Sequence, residues 1–145
     1  GRREFSRELS LVLSNLKGLN SAVLIILHLV NGDDIRQRLG RYNLDCALKH
    51  IAEVLKICIQ SNDIIGNMGG NDFGLVILSG DMHLAKIRKK QLFNAISSSP
   101  YMGLAVPVDL EIAIGIAMLK GKMTKDSALQ AADQSLLNYL SVHIN

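Results

Sequence analysis

The chain has 145 residues, 48% of them hydrophobic, and its 16 Lys and Arg against 13 Asp and Glu leave a net charge of +3 at pH 7. That length buries a full core in one domain without disulfides or a structural metal, and 12 Gly with 2 Pro exclude a collagen-like or linker composition. The longest apolar run, Ala22 to Leu27, is far short of the ~20 residues of a membrane-spanning helix, and no signal-peptide pattern opens the chain.

In chain order, Phe5, Leu9, Val12, Leu13 and Leu16 recur at helical spacing, predicting an amphipathic helix from Arg3 to Lys17 that stops at Gly18. Ala22 to Leu29, rich in Val and Ile, reads as a central strand. A polar turn at Asn31 to Asp34 and a short helical stretch to Leu39 follow. Asn43 is then the expected N-cap of a long helix carrying Leu44, Ala47, Leu48, Ile51, Leu55, Cys58 and Ile59. On that helix Cys46 and Cys58 lie ~18 Å apart, beyond disulfide reach. They read as buried free thiols, and without a CxxC pair no zinc site is expected.

Asp63 to Met68 and Phe73 to Leu78 flank the turn-rich Gly69-Gly70-Asn71-Asp72 and read as a β-hairpin. Leu84, Ile87, Leu92, Ala95 and Ile96 place a helix over Met82 to Ile96. Lys86, Arg88, Lys89 and Lys90 scatter around its outer side as a solvated face. A strand pair, Met102 to Val106 and Leu110 to Leu119, and a last helix capped by Thr124 and running through Leu140 complete the chain. Arg36, Arg38 and Arg41 cluster and offer either an anion site or, since Arg36 and Arg38 point different ways on a helix, surface pairing with Asp33 and Asp34. Strands separated by helices, with one tight hairpin, define an α/β sandwich around a mixed sheet. Three Phe, three Tyr and no Trp give little for single-stranded nucleic acid to stack on.

Gly69-Gly70-Asn71-Asp72-Phe73 resembles the signature of GGDEF domains, the family of diguanylate cyclases that join two GTP into cyclic di-GMP. The resemblance spans nearly the whole chain. Arg2-Arg3-Glu4-Phe5 is similar to the family's opening N-R-R-x-F, Ile35 to Gly40 stands where I-N-D-x-Y-G does, and Asp45 matches the Asp that opens the long helix. Ala113-Ile114-Gly115-Ile116-Ala117 resembles S-I-G-V-A, and Ala131-Ala132-Asp133 the A-D of the last helix. It implies a nucleotidyl-cyclase palm with a ferredoxin-like core. It also implies that residues 1–145 form a single GGDEF-like domain, cut at both ends from a longer cytoplasmic protein with an EAL phosphodiesterase as the expected neighbour.

The family's chemistry needs Mg²⁺ held by oxygen ligands and a carboxylate environment around the attacking hydroxyl. The two family carboxylates that hold the metal align with His28 and Asn71. A second strand-end Asp aligns with Val30, and Asp72 keeps the acidic fourth signature position. Imidazole is a poor Mg²⁺ ligand and an amide is no base at neutral pH, so no metal is expected at His28 and Asn71. Phosphate-facing lysines align with Asp33 and Leu140. If nucleotide binding is retained, Asp45, Arg36, Gly69 and Gly70 are the residues implied, Asp45 accepting from guanine and Arg36 standing where an Asn would. The product-inhibition motif R-x-x-D aligns with Gln60 to Asp63, where Gln60 lacks the cationic fork; cyclic di-GMP is not expected there.

The expectation is therefore a catalytically inactive regulatory or dimerisation module of a cyclic di-GMP signalling protein. Its partners would be neighbouring domains or a second copy. The alternatives are a GTP sensor without turnover, with Mg²⁺ entering only alongside GTP, and a weakly active cyclase.

Overall fold

The computed structural model describes residues 2–18, 20–78, 80–103 and 106–143. Among the described residues are nine regular elements: helix α1 (Arg2–Asn15), strand β1 (Ser21–Leu29), α2 (Gly32–Leu39), α3 (Arg41–Cys58), β2 (Ile64–Gly69), β3 (Asp72–Ile77), α4 (Met82–Ser97), β4 (Ile112–Lys120) and α5 (Lys125–His143). They build the palm-like, ferredoxin-like α/β arrangement that the resemblance implies.

The sheet order is β2-β3-β1-β4, and each pairing is antiparallel rather than mixed. The reason is topological. The α2–α3 crossover brings β2 back parallel to β1, but the hairpin lays β3 between them; β1 likewise separates β3 from β4. Among the described residues no two parallel strands are paired.

Alternation along β1 divides the core in two. Val23, Ile25, Leu27 and Leu29 face α3 and α4 with Ile51, Leu55, Leu92 and Ile96. Ala22, Leu24 and Ile26 face α1 and α5 with Phe5, Leu9, Ala128 and Ala132. Buried on both faces, β1 reads as a continuous apolar run.

Four local expectations are corrected. α3 begins at Arg41 behind Gly40, because the Asn43 amide is used elsewhere: its Nδ2 donates to Leu39 O at 2.8 Å, and its Oδ1 accepts from the Tyr101 hydroxyl at 2.8 Å. The strand expected at Met102 to Val106 is absent at Met102, Gly103 and Val106, residues 104–105 lying outside the described residues. A lone bridge, Tyr101 to Val108, stands there instead. The solvated face of α4 loses two members. Arg88 is buried, and Lys89 Nζ sits 5.5 Å from the Tyr139 ring centroid. Cys46 and Cys58 are free but only half-buried. Thr124 does cap α5, its Oγ1 accepting from Ser127 N at 3.0 Å.

Candidate functional site

The signature turn is set by two residues in the left-handed region, Gly69 at φ 87° and Gly70 at φ 57°, a conformation that costs most L-residues free energy. It docks on the end of β1 through Leu29 N donating to Asn71 O at 2.9 Å. With Leu29 and Asn71 joined by a ladder bond, alternation makes the neighbouring His28–Asp72 pair a non-hydrogen-bonded one, where facing side chains approach most closely. His28 Nδ1 lies 2.6 Å from Asp72 Oδ1. An ionised carboxylate only accepts, so Nδ1 carries the proton. Both side chains remain partly open to water, at 32% and 40% exposure.

Asp133 of α5 is the acidic neighbour on this face. Partial desolvation of this otherwise exposed group, then repulsion from Asp72, raises its carboxyl above the usual range, and Arg2 of α1 opposes the rise. Arg2 and Asp133 were legible only as pieces of family motifs, with nothing in their spacing to join them.

Asn71 turns away from this cluster. Its amide rests on Gly32, the first residue of α2, so closely that a Cβ at residue 32 would collide with Asn71 Nδ2. The structure thus brings His28 and Asp72 together and leaves Asn71 packed on the β1–α2 turn. Among the described residues no three His, Cys, Asp or Glu are grouped so that they could hold a metal ion.

The remaining predicted positions are dispersed. Asp45 is exposed on α3 at the rim of a shallow cavity of about 400 Å³ floored by Leu48, Ala52, Ile65 and Phe73. Arg36 is not part of its lining; it points toward Asp33 at 3.9 Å, and Arg38 pairs with Asp34 at 3.2 Å. Val30 and Leu140 pack against the α1/α5 half of the core.

Gln60 and Asp63 close a tight turn, Gln60 N donating to Asp63 Oδ2 at 2.7 Å. The same oxygen accepts from Arg88 Nη2 of α4 at 2.5 Å, and the two side chains are 4% and 9% exposed. Asp63 is thus held inside the protein. Arg88 was missed because a cation on an amphipathic helix reads as solvated until a buried partner is known.

With this geometry in view, the comparisons define the class. The chain belongs to the GGDEF family: the family model described as diguanylate cyclase, GGDEF domain, matches residues 1–141. GGDEF domains are components of cyclic di-GMP signalling proteins.

The GGDEF domain of DgcB from Caulobacter crescentus, solved in complex with c-di-GMP, superposes with a TM-score of 0.89 at 16% identity, covering 98% of this chain and 85% of that one. An EAL/GGDEF domain protein from M. capsulatus gives 0.80 at 22% identity over 98% and 93%. A curated relative, the uncharacterized protein y4lL of Sinorhizobium fredii, is 27% identical over 104 residues, or 70% of this chain; the match spans only 12% of that protein. Among the described residues no helix is long and apolar enough to cross a membrane.

Proposed function

We propose that this GGDEF domain is a degenerate, catalytically inactive module that acts by protein contact on a neighbouring domain of a longer cytoplasmic protein, with an EAL phosphodiesterase as the neighbour. The observation that carries the reading is the His28–Asp72 hydrogen bond at 2.6 Å. The acidic residue that the signature keeps is bonded by an imidazole where the family places a metal-binding carboxylate. Octahedral Mg²⁺ needs several oxygen ligands. An imidazole, a carboxylate engaged by it and an amide turned onto Gly32 do not fit that cation.

The EAL/GGDEF protein among the structural relatives and the much longer curated relative favour a multidomain parent. Production of cyclic di-GMP is measured chromatographically after incubation with GTP and Mg²⁺. The expected result is none. Turnover that is abolished by Asp72→Ala would overturn the reading.

One observation favours a second reading. The cavity beside Asp45 has an apolar floor and a rim of one carboxylate, Asp45, with Lys49 and Lys56, which suits a purine with donor groups on its edge and an anionic tail. In this reading the domain binds GTP without turnover and passes occupancy to its neighbour as a coupling free energy. Calorimetric titration with GTP, with and without Mg²⁺, tests it; no heat at millimolar nucleotide removes it.

A further inference from the structure

Away from the signature site, α1 and α5 run antiparallel and leave a trough between them. It consists of two adjoining cavities of about 730 and 420 Å³ that share Ser10 and Lys125. Arg2, Arg3, Arg7 and Lys125 line the first and Lys122 the second, with Asp126 the only carboxylate along either among the described residues; on its other side Arg7 borders a cavity that Glu4, Glu8 and Asp63 also line. Among the described residues none of these five cations closes a salt bridge, although Arg2 acts electrostatically on Asp133 of α5. On α2 and α3, by contrast, Arg36, Arg38 and Lys56 each reach a carboxylate of their own helix. The floor is apolar, with Met68 and Leu129 half-buried.

We propose that this trough docks an extended, acidic segment of a partner protein in which carboxylates alternate with apolar side chains. The spacing argues for a peptide. Arg3 and Arg7, one helical turn apart, are ~6 Å apart along α1, and same-side residues of an extended chain repeat every ~6.6 Å. Successive carboxylates can therefore meet successive arginines, each as a charge-assisted pair. A free phosphate would meet one or two of cations strung out along the trough. Single-stranded nucleic acid would want exposed aromatics, and the only aromatic ring in the lining, Phe5, is buried. The alternate side chains of the peptide cover Met68 and Leu129. The proposal names the partner chemistry for a domain that works by contact. It stands whether or not the signature site turns over GTP, since its test uses no nucleotide.

The test is fluorescence anisotropy of the whole chain with a labelled peptide of about eight residues alternating Glu and Leu. Parallel arms use the same peptide with Lys for Glu and a thymidine oligonucleotide of similar length. Preference for the acidic peptide, weakening several-fold from low to physiological salt, is expected. Arg3→Glu with Arg7→Glu should lower its affinity by at least about tenfold. Lys86→Glu with Lys90→Glu, an equal charge change on exposed positions of α4, should leave it within about twofold. If the first pair fails to fold by circular dichroism, Lys122→Glu with Lys125→Glu reads the same loss. Equal weakening by the α4 pair, tighter binding of the oligonucleotide or of the basic peptide, or no binding at millimolar peptide each overturns the proposal.

Discussion

Asp63 and Asp72 invite comparison. Each keeps the acid of a family motif and each is bonded by a cationic or protonatable side chain of its own chain, Asp63 by Arg88 and Asp72 by His28. They differ in water. The Asp63–Arg88 pair is sealed, at 4% and 9% exposure, and ties the turn before β2 to α4. The Asp72–His28 pair is about one-third exposed and spans two strands that the backbone ladder already joins. The same chemistry is thus sealed from water in one place and open to it in the other. A retained motif acid says nothing about ligand binding until its surroundings are known.

The largest expected effect follows from that contrast. Asp63→Ala leaves a guanidinium buried and unpaired and should destabilise the domain by about 3–5 kcal/mol, read from the denaturant midpoint. Replacing both partners, Asp63→Leu with Arg88→Met, should recover most of that loss, because an apolar pair of similar volume carries no desolvation penalty. If the double variant is no better than the single, the pair is more than a charge compensation and the comparison fails.

The next effect concerns the turn between the two acids. Gly32→Ala would drive a methyl into the Asn71 amide, at a cost of about 1–3 kcal/mol if the turn cannot yield. Asn71→Gly should relieve it. A double-mutant cycle then gives a coupling of more than about 0.5 kcal/mol, and additivity would mean that Asn71 rotates away freely.

How much of this was legible in the sequence depends on the range of the interaction. β1 was readable because both its faces are buried, and α5 because Thr124 acts on its own first turn. The signature hairpin was readable because two adjacent glycines demand a turn. By contrast, Asn43 was misplaced as a cap since its amide partners, Leu39 and Tyr101, are set by tertiary packing. Arg88 was misplaced for the same reason, its partner lying 25 residues away. At the site, the positions of His28 and Asn71 could be aligned, but not the bond to Asp72 or the seat on Gly32, which depend on strand register and on the course of the β1–α2 turn.

On the exposed side of the comparison, His28→Ala should cost no more than about 1 kcal/mol, the usual range for an exposed pair. Asp72→Ala should behave alike, both measured by urea unfolding at neutral pH. A loss as large as that of Asp63→Ala would erase the distinction drawn from burial.

The smallest effect is the most diagnostic of the cluster's electrostatics, because it changes sign with a neighbour and vanishes with acid. The Asp133 carboxyl is raised by partial desolvation and by Asp72, against Arg2. The fold therefore binds this proton more tightly than the unfolded chain does. Its stabilising contribution is complete below the unfolded value of about 3.9 and is lost as pH rises through the raised folded value. At pH 7 the ionised group is thus a net burden, and Asp133→Asn, neutral at every pH, should raise Tm slightly there and give no advantage below pH ~3.9. Asp72→Asn removes one cause and should lower the Asp133 titration midpoint seen by carboxyl NMR, whereas Arg2→Ala removes the opposing charge and should raise it further. A midpoint unmoved by Asp72→Asn would mean that desolvation alone raises Asp133, and that the two acids do not share one field at the end of β1.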